Sequence, residues 1–105
     1  MTATPGDITD DTFLLDVRED DEWAAGHIAG ATHIAMSGLL PRVGEVPKEG
    51  DVVVVCKVGG RSAQVTAYLR QQGWTNVRNL DGGVVAWLQA GRALVSETGA
   101  DPYVL

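Results

Sequence analysis

Asp51–Arg70 reads DVVVVCKVGGRSAQVTAYLR, and this stretch decides the fold. Val52–Val55 is an unbroken apolar run with the length of a buried or half-buried strand. Ser62–Gln72 (SAQVTAYLRQQ) is the strongest helical segment of the chain: Ser62 is placed to cap its start, Val65, Tyr68 and Leu69 share one face, and Gly73 can stop it. Between strand and helix lie the chain's one cysteine, Cys56, and a turn with two glycines, Gly59 and Gly60. In an open parallel sheet the ligand-binding groups sit just beyond the carboxyl ends of the strands, which is where this sequence places Cys56.

Outward from that unit the pattern repeats. Phe13–Val17 (FLLDV) and Asn76–Leu80 (NVRNL) read as further strands, and Ala31–Ala35 as a short one. Glu19–Ala25 is a short acidic turn of helix, with negative charge where an N-terminal dipole favours it. Gly82–Ala90 (GGVVAWLQA) is a helix candidate stopped by Gly91, with Val84, Trp87 and Leu88 expected to point inward. Met36–Val43 reads as a short helix interrupted at Pro41. Alternating strands and helices predict an α/β fold, a mostly parallel sheet with helices on both faces. Past Ser96 the residues become small and polar, the composition of a loosely held tail. The expected organisation is a lead-in over 1–12, one domain over 13–95 and a tail over 96–105.

Composition limits the function classes. At 105 residues with 45% hydrophobic content, one domain with a single core is expected. A formal charge of −6 opposes nucleic acid and anionic membranes as partners, because both reward a basic surface. The opening MTATPGDITDD lacks the basic patch and apolar core of a secretory signal, and no aliphatic run is long enough to span a bilayer. A single cysteine cannot form an internal disulfide and is at home in a reducing compartment, so the expected location is cytoplasmic. Two histidines and one cysteine at these separations make no metal-ligand pattern, and no metal is expected.

Gly59 and Gly60 allow the chain to curl, so that amides from Lys57 through Val58, Gly59, Gly60 and Arg61 to Ser62 can face one concave spot, a nest for an anion. The sulfur of Cys56 itself suits that nest. A helix N-terminus together with Lys57 and Arg61 favours thiolate over thiol, and the thiolate is the nucleophile. A small hydrophobe completing a valine strand would need neither the paired glycines nor the paired cations.

CKVGGRS at Cys56–Ser62, the Asp16-Val17-Arg18 triplet, GHIAGATHI at Gly26–Ile34 and LDGGVVAW at Leu80–Trp87 together resemble a single-domain rhodanese, over roughly Phe13 to Leu94. The resemblance implies a rhodanese-like fold and sulfur transfer. Cys56 would take the outer sulfur of thiosulfate or a similar donor as a persulfide, then yield it to cyanide, a small thiol or a protein thiol, with no cofactor. Lys57 and Arg61 would meet a dianionic donor, Arg61 with a fork of hydrogen bonds. Mercaptopyruvate or another protein's persulfide stays open as donor.

Asp16 and Arg18 are expected at the same sheet edge as Cys56, Asp16 bonding loop amides or Arg61 in support of the cradle. His27 is expected to make an orienting hydrogen bond and His33 to be structural or exposed. Trp23, Trp74 and Trp87 read as core or rim residues. Gly82 and Gly83 are expected to allow close helix approach. The run Glu19–Glu22 reads as a solvated face, able to repel anions or dock a basic partner.

Two other functions compete. A non-catalytic module, or a carrier that receives sulfur only from a partner protein, would use the same fold. A cysteine phosphatase or related arsenate reductase is disfavoured: those loops place one more residue between Cys and Arg than Lys57, Val58, Gly59 and Gly60, and a tighter ring suits one sulfur better than a tetrahedral oxyanion. The resemblance also implies a strand and a helix ahead of the Asp16 strand. Only MTATPGDITDDT precedes Phe13, so the sheet is expected to lack an edge element, which leaves self-association open.

Overall fold

The structure, a computed structural model, describes residues 1–105. Five strands, β1 (Thr2–Ala3), β2 (Phe13–Asp16), β3 (Thr32–His33), β4 (Val52–Val55) and β5 (Val77–Leu80), form one sheet in the order β1-β5-β4-β2-β3. Every pairing is parallel, so each connection crosses over the sheet. Four helices make or accompany the crossovers: α1 (Asp20–Ala25), α2 (Leu39–Arg42), α3 (Gly60–Gln71) and α4 (Gly83–Gln89).

The central strand β4 explains the arrangement. Its four valines are completely buried, and their alternation divides the core into two layers. Val52, Val54 and Cys56 face the layer containing Leu39 of α2 and Val65 and Leu69 of α3. Val53 and Val55 face the other, with Val84 and Trp87 of α4. Burial of each such side chain is worth about 1.5–3 kcal/mol, which fixes the register of β4 and with it the side of the sheet on which Cys56 emerges.

Several expectations are corrected. The edge element is present: Thr2–Ala3 pairs with β5 in the register Thr2↔Asn79 and Ala3↔Leu80, and a 3-10 turn at Pro5–Asp7 stands where a helix was implied. Helix α3 starts two residues before Ser62, with Gly59 at its N-cap in a left-handed conformation (φ +106°), so Ser62 does not cap it. Leu88 is 43% exposed, because Val84 and Trp87 already fill the inward stripe of α4. Pro41 lies inside α2, in its first turn, where a missing N–H costs nothing. The C-terminal segment lies against the domain: His27 and Val95 exchange backbone bonds at 2.9 and 2.8 Å, Tyr103 N donates to Ala25 O at 3.0 Å, and Val104 packs on the α4-side core.

The start of α4 is held against the end of β4. Val84 N donates to Cys56 O at 3.0 Å and Val85 N to Lys57 O at 3.1 Å. The approach requires Gly83, whose φ is +59° and where a Cβ would lie 2.3 Å from Cys56 O and 2.5 Å from Lys57 O. Gly83→Ala is expected to cost about 3 kcal/mol in urea denaturation, the scale of backbone strain combined with a steric clash. Gly91→Ala, at φ +81° with no atom within 4 Å of the new Cβ, is the control and is expected to cost about 1 kcal/mol.

Candidate active site

Cys56 is 1% exposed, yet its sulfur is not sealed in hydrocarbon. Gly59 N donates to Sγ at 3.1 Å and the Ser62 hydroxyl at 3.2 Å. Burial pushes the thiol upward, but the Ser62 hydroxyl and the amides of Ser62, Gly59 and Val58 outweigh it, and the net displacement is below the ordinary thiol value. Of the six residues predicted to offer amides, Gly59 donates its own to the sulfur, Val58 and Ser62 add smaller downward pulls on the thiol through theirs, and Ser62 adds a hydroxyl that the sequence places at a helix cap.

The two cations behave differently from one another. Arg61 directs its fork at Glu22 of α1, with Nη1 at 2.6 Å from Oε1 and Nη2 at 2.8 Å from Oε2. That pairing draws the Glu22 carboxyl from the ordinary 4.5 down to about 2 and raises Arg61 further above its already high value. Arg61 therefore does not stand free at the mouth of the loop: the fork expected to meet a donor's oxygens is engaged by Glu22. Lys57 is exposed and its ammonium enters no ion pair, which leaves it as the unpaired cation of the loop.

Asp16 and Arg18 are both buried and bond each other, not the loop or Arg61. Arg18 Nη2 and Nε reach Asp16 at 2.8 to 3.1 Å, and Nη2 and Nη1 also donate to the carbonyls of Gly26 and Glu22 in and after α1. The direct support expected of Asp16 is thus replaced by an indirect one: the pair ties α1 to the end of β2, α1 presents Glu22, and Glu22 holds Arg61. His27 makes the kind of orienting bonds expected, with Nδ1 at 2.9 Å from Trp23 O and Nε2 at 3.1 Å from Glu97 Oε1, on α1 and the C-terminal segment. Trp23 stacks between His27 and His33, and His33 Nε2 donates to Arg18 O at 2.7 Å. Trp74 and Trp87 are core residues.

Two residues that sequence reasoning missed complete the loop. Asn79 of β5 donates from Nδ2 to Gly59 O at 3.3 Å, and Glu22 holds Arg61. The only sequence signal for Glu22 was its capping-box spacing from Glu19, which explains a helix start and nothing about Arg61. Cys56 lines none of the four surface cavities. No group of three or more His, Cys, Asp or Glu side chains is arranged to hold a metal ion.

Residues 5–90 match the family model of the rhodanese-like domain. The chain belongs to the rhodanese-like family. It is 43% identical over 91 residues to a sulfurtransferase of Allochromatium vinosum, covering 87% of this chain and 85% of that protein. It is 36% identical over 74 residues to the thiosulfate sulfurtransferase GlpE of Pseudomonas entomophila, covering 70% and 68% of the two chains. Its fold matches the crystal structure of a rhodanese-related protein from Thermoplasma volcanium with a TM-score of 0.84 at 29% identity, over 91% of this chain and 98% of that one. By kinship this rhodanese domain is of the sulfurtransferase type.

The Glu22–Arg61 bridge has a pH signature. A carboxyl held at about 2 in the folded state contributes stability that is complete above its ordinary 4.5 and is lost as pH falls toward 2. Both partners are partly exposed, so the contribution is modest. Glu22→Gln is expected to flatten the stability-versus-pH curve across that acid window, followed by far-ultraviolet circular dichroism in urea; a curve of unchanged slope would contradict the bridge.

Proposed function

We propose that this rhodanese moves a sulfane sulfur from thiosulfate or a similar donor to a thiophile through a persulfide on Cys56. The observation that carries the reading is the pair of donors on the sulfur, Gly59 N at 3.1 Å and Ser62 Oγ at 3.2 Å. They stabilise a thiolate, and they would equally stabilise negative charge on a persulfide held there.

In the first step the Cys56 thiolate attacks the outer sulfur of thiosulfate; a new S–S bond forms, the old one breaks, and its electron pair leaves on sulfite. In the second a thiophile such as cyanide attacks the terminal sulfur, and the S–S electron pair returns to Cys56 as thiolate. The chemistry is covalent catalysis in two half-reactions, without a metal or organic cofactor, and predicts ping-pong kinetics. Lys57, which enters no ion pair, would help neutralise the arriving anion, while the charge of Arg61 is balanced by Glu22 until a donor's oxygens compete for its fork. The reading places the protein in the cytoplasm, where a lone thiol stays reduced.

One observation favours the carrier alternative for the first half-reaction: with Cys56 only 1% exposed, a donor reaches the sulfur only if neighbouring groups move aside. A protein donor could drive that movement with binding energy that thiosulfate lacks.

Incubation with thiosulfate followed by intact mass measurement tests both. The expected result is gain of one sulfur atom in the wild type and none in Cys56→Ser. No gain with thiosulfate but gain with a persulfidated protein would establish the carrier, and turnover of a phosphomonoester would support the phosphatase alternative instead. Gly59→Val, which forces a side chain into the left-handed conformation and brings its Cβ within 3.3 Å of Gly82 N, is expected to load at least about tenfold more slowly while costing only about 1–2 kcal/mol of stability. Loading at the wild-type rate would count against the amide cradle.

A further inference from the structure

An apolar groove opens beside the loop and has no part in the chemistry above. Met36, Leu39, Leu40, Gln64, Val65 and Tyr68 line a depression of about 220 Å³ between the α2 region and α3. Its position relative to the sulfur follows from helix geometry. Residues 61, 64, 65 and 68 fall on one side of α3, so the wall formed by Gln64, Val65 and Tyr68 continues directly from Arg61, one turn from the Ser62 hydroxyl. On the opposite wall Met36 N is bonded to Val17 O at 3.0 Å, on the same β2 extension that carries Asp16 and Arg18.

The groove is flanked by apolar side chains that the fold does not use. Leu40 is 65% exposed at its edge, and Val58, two residues after Cys56 in the loop, is 61% exposed. Its other flank is acidic. Ser37, next to Met36, donates from Oγ to Glu19 Oε1 at 3.0 Å, which sets the start of α1 against the groove's rim. Glu19 and Asp20 are exposed at this end of α1, Asp20 with 94% of its side chain in solvent and its Oδ1 3.9 Å from His33 Nδ1. These charges belong to a chain whose net charge is −6.

We propose that this groove docks a basic protein surface that presents the acceptor thiol: an apolar residue seated against Leu40 and Tyr68, lysine or arginine facing Glu19 and Asp20, and a cysteine delivered to Cys56. The proposal rests on the persulfide reading. A small anion gains nothing from an apolar groove next to the sulfur, whereas a protein acceptor gains both apolar burial and steering by opposite charge. The acidic rim also repels acidic proteins, which supplies selectivity among thiols of equal reactivity. In the transfer step the partner's thiolate attacks the terminal sulfur of the persulfide. An S–S bond forms to the partner, the bond to Cys56 breaks, and its electron pair returns to the Cys56 sulfur under Gly59 N and Ser62 Oγ.

The test compares three acceptors for the full chain charged with thiosulfate: cyanide, a short cysteine peptide flanked by leucine and lysines, and the same peptide with glutamates in place of the lysines. The expected result is at least about tenfold higher kcat/KM for the lysine peptide than for the glutamate peptide, shrinking as salt is added. Leu40→Asp is expected to lower transfer to the lysine peptide about tenfold while cyanide turnover stays within about twofold. Asp20→Asn, a change at a fully solvated side chain, is expected to lower the lysine-peptide preference about threefold and covers the case in which Leu40→Asp disturbs α2. Normal cyanide turnover with equal rates for the two peptides, or with peptide transfer indifferent to both variants, would overturn the docking surface alone. Absence of cyanide turnover in the wild type would overturn the persulfide reading, and the docking proposal with it.

Discussion

The carbonyls of Cys56 and Lys57 are held away from the sulfur, and the rest of the site depends on this. A trans peptide unit is planar, with its C=O and N–H pointing in opposite directions. When Val85 N takes the Lys57 carbonyl, the amide of Val58 in the same peptide unit is turned the other way, toward Sγ. Asn79 and Ala63 take the carbonyl of Gly59 on the far side of the loop, which fixes the peptide unit that follows the Gly59 donor. The cradle is therefore braced from outside, by α4, β5 and the first turn of α3, which take the carbonyls of Cys56, Lys57 and Gly59. Donors fixed before charge arrives need no reorganisation to stabilise it.

Charge is arranged by a similar relay. The chain carries a net −6, and of the two cations in the loop Arg61 is balanced by Glu22 while Lys57 enters no ion pair. Arg61 is oriented by Glu22, Glu22 by α1, and α1 by the buried Arg18, which spans Asp16 and the carbonyls of Glu22 and Gly26. A buried ion pair adds little stability in itself, but removing one partner leaves an unpaired charge at a cost of about 3–5 kcal/mol. The pair thus ties the position of α1 to the integrity of the strand end. His27, stacked on Trp23 and bonded to Glu97, joins the C-terminal segment to the same helix.

The sequence makes local features legible and long-range partnerships obscure. Val52–Val55 and the following glycines announce the strand and the turn because burial, φ freedom and helix propensity all act over a few residues. The family resemblance rests on such stretches as well. Glu22 and Arg61 are separated by 39 positions, and nothing in either segment specifies the other. Asp16 was expected to reach the loop, yet Arg18 lies two positions away on the same side of an extended chain and takes both its oxygens first. Thr2–Ala3 escaped notice as an edge strand because two residues carry no periodicity; their strand character comes from pairing with β5. Leu88 was misplaced because a helix only seven residues long buries a narrower stripe than its apolar composition allows.

The central claim is that hydrogen bonds, outweighing burial, draw the Cys56 thiol below its ordinary value within an otherwise apolar layer. Titrating the thiolate's ultraviolet absorbance in the wild type and in Ser62→Ala measures this directly. The account predicts a wild-type midpoint below that of a free thiol, rising when the hydroxyl is removed. A wild-type midpoint at or above the free-thiol value, unmoved by the substitution, would contradict it.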